Sequence, residues 1–319
     1  MLSELKFVQG AVARKELIPT LTHFKIEDGT IRSFNGSLAL STPIKLDINC
    51  VPKAIPFYKA IQQCKETVTM TMTKAGRLGI KSGSFKAFIE CVDEEGETPH
   101  VVPEGEDFEI NGDALLSALK LMTPFIGDDA SRPWSTGILL SGASAFATNN
   151  VSVIEYWIGT DFPIVCNLPR ACVKEMVRIN EAPLRAQVSE NSISFHYEGG
   201  KWIRTNMLET DWPNLAKILD TPSDPKPLNP LIFEGLDALK PFVDKLERVY
   251  IYDGLMGTTL SPDEGASFEM PDFEYEGVYQ MKILNALKGV ADTIDFTLYP
   301  SPCIFYGERV RGAIIGMRT

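Results

Sequence analysis

The residues that could do chemistry are few. His23, His100 and His196 are the only imidazoles in 319 residues, and they stand far apart in the chain. A Ser–His or Cys–His nucleophilic pair would have to take its base from this small set. Surface or structural roles are the commoner fate of such isolated histidines. The six cysteines, at 50, 64, 91, 166, 172 and 303, include no CxxC pair. They are read as buried reduced thiols, with no metal site. Neither common phosphate-cradling glycine loop is present, and there is no HExxH. Ser117-Ala-Leu-Lys120 has SxxK spacing but lacks the companion motifs that would make it a nucleophile. Acidic pairs such as Asp128-Asp129 and Glu94-Glu95 read as solvated loop charge. The expectation is a protein that is not an enzyme and holds neither cofactor nor metal. The rival is a motif-poor hydrolase on a β-rich multidomain scaffold, whose carboxylate-only site would leave little trace. A viral structural protein is a third reading.

Strands must carry most of the framework. Phe24–Phe34 alternates around Asp28-Gly29, a strong hairpin signal. Ser192–Tyr197 and Lys201–Thr205 flank Gly199-Gly200, and Val249–Tyr252 precedes Asp253-Gly254. Six short helices are predicted, over Ala11–Thr22, Val51–Cys64, Asp113–Phe125, Pro169–Ile179, Gly235–Val249 and Gln280–Val290. They fall into three pairs, each pair separated by strands. Val51-Pro-Lys-Ala54 echoes Leu168-Pro-Arg-Ala171, with Pro opening a helix where its missing N–H costs nothing. Asp113-Ala-Leu115 echoes Asp237-Ala-Leu239. A repeat of this length predicts three similar domains, 1–103, 104–222 and 223–319, joined at the Pro-containing stretches Pro99–Glu106 and Thr221–Pro230.

Composition sets the class. Apolar residues make up 44% and charged residues 23%, as in ordinary soluble globular chains. The first residues carry no basic-then-apolar signal pattern, and the uncharged run Pro133–Ile154 is too rich in Ser, Thr, Asn and Gly to span a bilayer. A cytoplasmic location away from membranes is expected, in the host cytoplasm for a viral protein.

The net charge of −11 argues against nucleic acid taken whole. Its distribution argues the other way. The predicted helices hold Arg14, Lys15, Lys53, Lys59, Lys120, Arg170, Lys174, Arg178, Lys240, Lys245, Arg248, Lys282 and Lys288 against only six acids, so the acidic excess lies elsewhere. Solvated helix faces would explain any one helix. The set suggests a concentrated basic surface that touches duplex phosphates without reading sequence. No helix combines Arg, Asn and Gln as base readout would need, and no aromatic row marks a single-strand platform.

Several segments together resemble the bacterial-type β sliding clamps, the processivity factors of DNA polymerases. Tyr299–Tyr306 and Arg311–Thr319 are similar to the closing strand pair and tail of that family. Gln280–Lys288 resembles the second helix of its third domain, and Asp211-Trp-Pro-Asn-Leu215 the segment that closes its second. Gly137–Leu140 and Ala147–Asn150 resemble strands flanking its Ala-Thr-Asp-Gly turn. The resemblance covers nearly the whole chain at low identity.

It implies an α+β fold of three repeated clamp domains, each with two helices on curved antiparallel sheets, and two subunits closing head to tail into a ring. The helices would line the hole, with Arg14, Lys15, Lys53, Lys59, Lys120, Arg170, Lys174, Arg178, Lys240, Lys245, Lys282 and Lys288 toward DNA. It also implies a pocket for a short peptide with Leu and Phe anchors, from the polymerase and the clamp loader. Carried over by position, its wall would be Leu139, Thr148, Val153, Pro213, Ile218, Val278, Ala313, Ile315 and Met317. The sequence departs from the family pattern in three places. The turn after Thr148 is Asn-Asn-Val-Ser, Gly316 replaces a proline, and Thr319 ends the chain. These departures suggest a divergent, phage-type member with its own peptide preference.

Overall fold

A computed structural model describes residues 1–15, 18–92, 99–209, 211–261 and 263–318. Contacts divide the chain into two compact units. The first joins Met1–Leu116 to Ala171–Met207, and the second joins Ser117–Arg170 to Leu208–Thr319.

The first unit is built on a seven-stranded antiparallel sheet. Its order is Lys25–Glu27, Thr30–Phe34, Leu38–Pro43, Trp202–Asn206, Ser192–His196, Arg185–Val188 and Glu106–Glu109. The expected hairpin at Asp28-Gly29 forms. Both turn residues have positive φ, 49° and 69°, the geometry a two-residue loop needs to match strand twist. Alternation then divides the sheet into two faces. Leu40, Ile203, Phe195 and Ala186 form a cross-strand row on the buried face, which the paired Ile26 and Ile31 share. Helix Leu2–Val8 belongs to this unit, with Leu5, Phe7 and Val8 buried; the Ser33 hydroxyl donates to the Val8 carbonyl. It packs beside helix Ala54–Gln63. A second sheet orders Val51–Pro52, Phe85–Val92, Arg77–Ser82 and Thr69–Met72.

The second unit has a six-stranded antiparallel sheet and a four-stranded one. The larger runs Lys226–Pro227, Thr293–Ile294, Cys303–Gly307, Val310–Ile314, Ser152–Pro169 and Gly137–Thr148. The uncharged run that the sequence singled out is thus mainly strand. Among the described residues, no helix is long and apolar enough to cross a membrane. The smaller sheet runs Ser267–Glu269, Leu255–Gly257, Arg248–Tyr252 and Gly277–Gln280, and helices Leu231–Leu239 and Met281–Asn285 contact each other.

The helix expectations divide. Gly112–Met122 with its tight turn Thr123–Phe125, and Arg170–Ile179, lie close to where periodicity put them. The described residues of Ala11–Thr22 form no α-helix. The described part of it holds only tight turns at Gln9–Ala11 and Pro19–Thr22, and the helix of that region is the earlier Leu2–Val8. Pro19, with no N–H to donate, starts a turn and cannot continue a helix. Gly235–Val249 is also displaced: the helix is Leu231–Leu239, Pro241 ends it, and Arg248–Tyr252 is strand. Helix Ala54–Gln63 starts after a two-residue strand, and Met281–Asn285 is shorter than predicted.

Candidate functional site

An apolar groove of about 220 Å³ opens on the second unit. A cavity of about 150 Å³ holds a benzene ring, so this space takes one or two apolar side chains. Strand pairing makes its floor. Val153 pairs with Thr148 on one side and Ala313 on the other. Val153, Ala313, Ile304 and Leu219 form a buried cluster, with Phe146, Leu215, Ile218 and Leu298 packed against it. Helix Ala216–Leu219 contributes one wall through Ile218, which the Ile218 N–H fixes by donating 3.0 Å to the Leu215 carbonyl.

The lip is the turn after Thr148. Asn150 takes positive φ, 72°, a conformation asparagine tolerates. The Asn149 side chain accepts from the Val151 and Ser152 N–H groups at 3.2 and 2.9 Å. The Thr148 hydroxyl donates to the Ser152 carbonyl at 2.7 Å. Opposite, the Trp134 and Trp212 rings meet edge to face with centroids 5.7 Å apart, and Asn167 donates 3.1 Å to the Trp134 carbonyl. Arg132 supplies the positive charge at the groove, held only loosely by Asp129 at 3.9 Å. Asp129 itself titrates below the usual carboxylate range because the Ser131 hydroxyl and N–H donate to it.

One ion-pair bridge braces the site. Arg311 Nε reaches Glu155 at 2.6 Å and its Nη1 reaches Asp220 at 2.9 Å, tying the last strand to the segment after helix Ala216–Leu219. Burial would lower the Arg311 pKa, but the hydrogen bonds to Glu155 and Asp220 outweigh it and hold the pKa above the ordinary value.

Thr148, Val153, Ile218, Ala313 and Ile315 line the groove. Leu139, Pro213, Val278 and Met317 do not line it. Leu139 pairs with Asn167 deeper in the same sheet. Met317 is bound by its backbone: its N–H donates 2.6 Å to the Val278 carbonyl, and the Tyr299 hydroxyl donates 2.8 Å to its carbonyl. A Cβ on Gly316 would collide with the Tyr299 ring, which accounts for glycine in place of proline. Sequence reasoning missed Arg132, Trp134, Leu215 and Pro302. Trp134 carried a usable signal, a tryptophan just before a strand in an otherwise polar turn.

The basic residues divide equally between the units. Arg14, Lys15, Lys59, Lys120, Lys174, Lys240, Lys245 and Lys282 are exposed and form no ion pair among the described residues. Lys59, Lys120, Lys174 and Lys282 stand on helices; Arg14, Lys15, Lys240 and Lys245 stand on turns or loops. Arg178 is committed elsewhere. It pairs in two-pronged fashion with Glu175, which is 9% exposed, and its Nη2 donates 2.9 Å to the Phe7 carbonyl. Lys288 lies 3.8 Å from Asp237 and over the Phe233 ring. Lys53 leads into helix Ala54–Gln63, and Arg170 is half-buried with its Nε unpartnered.

Two of the three histidines are held by structural contacts. His23 is buried, with Nδ1 2.7 Å from the Pro19 carbonyl. His196 lies in the sheet between Gln187 at 3.1 Å and Arg185 at 3.2 Å. Burial, helped by the Arg185 charge, pulls its pKa down to about 4, so the ring is neutral at pH 7.

Compared with solved structures, the chain aligns along its whole length with bacterial clamps. The DNA polymerase sliding clamp of Bacillus subtilis matches with TM-score 0.84 at 17% identity, over 100% of this chain and 97% of that one. The fold is that of the bacterial β sliding clamps. The DnaN sliding clamp of Bartonella birtlesii, bound to griselimycin, matches with TM-score 0.84 at 15% identity over the same shares. The Helicobacter pylori β clamp bound to a DNA ligase peptide matches with TM-score 0.79 at 15% identity, again over 100% and 97%. No protein-family model and no curated protein matches the sequence. The α+β class with several antiparallel sheets, expected from the resemblance, is the observed one.

Proposed function

We propose that the protein is a sliding clamp: a ring of two head-to-tail copies that encircles duplex DNA and tethers a DNA polymerase. The observation that carries this reading is the match to clamps over 100% of the chain at TM-score 0.84. Each copy contributes three clamp domains, 1–103, 104–222 and 223–319.

The mechanism is topological. Exposed cations on short helices and turns, Lys59, Lys120, Lys174 and Lys282 among them, meet phosphates loosely and without register, so the ring slides. The chain's overall charge of −11 repels unproductive binding to other polyanions. The groove lined by Val153, Ile218, Ala313 and Ile315 takes the apolar anchors of a short peptide from the polymerase and from a loader. A tethered polymerase rebinds the primer end at high effective concentration. The ligase peptide on the Helicobacter pylori clamp supports a peptide reading for such a surface. The chain itself catalyses nothing and needs no cofactor.

Primer extension on a long single-stranded circular template tests the proposal. Added protein should lengthen products in a single binding event when its cognate polymerase and loader are present. Product lengths unchanged at saturating protein would sink it. Sedimentation gives the companion result: a species of twice 35.3 kDa supports a two-subunit ring.

A further inference from the structure

The seven-stranded sheet of the first unit carries a second row on its other face. Registers place Lys25, Arg32, Ser41, Trp202, His196 and Arg185 directly across from one another on successive strands. The cations of this face are nearly all matched. Lys25 pairs with Glu27 at 3.1 Å, Arg185 with Asp107, and the neighbouring Arg204 with Glu104 at 3.0 Å. Arg32 is the exception: its guanidinium has no hydrogen bond or ion pair among the described residues, and its Nε is buried.

Arg32 lines a cleft together with Thr20, His23, His100 and Trp202. The Thr20 hydroxyl is likewise buried without a partner, and His23 is 6% exposed. Among the described residues, no acidic side chain lines the cleft. Two orphaned donors in one pocket carry a desolvation penalty of about 1–3 kcal/mol each unless something fills the place. The free space is about 30 Å³, against ~10–15 Å³ for one water on that measure, which suits a small polar head group and excludes a nucleotide.

The second unit repeats the arrangement with one telling difference. Ala39 pairs with Phe34 and Arg204 as Val153 pairs with Thr148 and Ala313. In this correspondence Ser41 stands where Glu155 stands, and Trp202 where Arg311 stands. Glu155 supplies the carboxylate that Arg311 binds at 2.6 Å. By the same registers Arg32 stands where Phe146 stands, so the first unit has its cation on the other side of the central strand and a serine in place of the acid.

We propose that the cleft around Arg32 is a binding site for a small oxyanion, a carboxylate or phosphate group supplied from outside the chain. The guanidinium takes two oxygens side by side, the Thr20 hydroxyl donates to one of them, and Trp202 walls the site from water. The site is separate from the peptide groove and adds a second ligand surface to the clamp reading.

The test uses the full chain and two probes, acetate and inorganic phosphate, each titrated at ionic strength matched with chloride. The readout is the Arg32 Nε–H and Trp202 indole resonances, assigned through Arg32→Lys and Trp202→Phe. A saturable shift at both groups is expected, with affinity reduced about ten- to a hundredfold in Arg32→Lys, the worth of a charge-assisted pair. Thr20→Val should weaken binding by a smaller factor and settles the matter if the Arg32 variant fails to fold. Tighter acetate assigns a peptide carboxylate as the ligand; tighter phosphate assigns a phosphoryl group. No saturable shift with either anion, or equal affinity in both variants and the unmodified chain, overturns the proposal.

Discussion

Ile315→Ala isolates the groove. Ile315 keeps its place by a backbone bond, its N–H donating 2.9 Å to the Val151 carbonyl, so the substitution leaves the strand pairing intact. It removes three carbons, worth about 2.4 kcal/mol at ~0.8 kcal/mol each if wholly buried. The residue is 39% exposed, and only that share is left for a peptide to cover. The binding loss is therefore about 0.9 kcal/mol, roughly a fivefold rise in Kd. The part already buried costs folding about 1.5 kcal/mol. Fluorescence anisotropy with a labelled peptide carrying Leu and Phe anchors measures the first, and urea unfolding the second. An unchanged Kd together with the expected stability loss would mean the peptide does not sit in this groove.

Other outcomes follow from the same geometry. Reversing Lys59 and Lys174 to Glu should weaken DNA retention and flatten its salt dependence, by about one phosphate per lysine, with melting unaffected; an unaltered salt slope counts against the basic-helix reading. Arg178→Ala should instead destabilise the fold by about 2–3 kcal/mol, because Glu175 is left buried and unpaired, as thermal unfolding would report. Acid should weaken the protein through His196. Its pKa is about 4 in the fold against an ordinary 6.5, so the unfolded chain takes up the proton first and stability falls as pH drops from 6.5 to 4. The shift caps the loss at about 3 kcal/mol, and the half-exposed ring brings it nearer 1–2 kcal/mol. His196→Gln should remove that part of the pH dependence in denaturant titrations. Cys166, pushed up to about 12 by burial, should stay unmodified by thiol reagents until the protein unfolds.

Much of the framework was legible in local pattern. The Asp28-Gly29 hairpin and the helices Gly112–Met122 and Arg170–Ile179 follow from turn chemistry and periodicity. Two helix expectations failed for a shared reason. Ala11–Thr22 and Gly235–Val249 each count charges and apolar residues on both sides of a proline as one helix. The helix that forms beside the first, Leu2–Val8, is only seven residues long, and isolated segments of that length are unstable. It owes its stability to burying Leu5 and Val8, a gain no local signal records.

The candidate site shows the same division. The types and spacing of residues determined local turns and strands, the Asp28-Gly29 hairpin among them. They also determined the strand alternation that sorts each sheet into two faces. Only the tertiary structure decided which of these residues share a surface. Arg132, Trp134 and Pro302 reach the groove from segments far apart in sequence. Arg178, outwardly the same kind of residue as Lys174, is drawn off by Glu175 and the Phe7 carbonyl. A charge or an apolar side chain has a local identity fixed by its type, but its partner is chosen by long-range packing, and the partner determines what the residue is free to do.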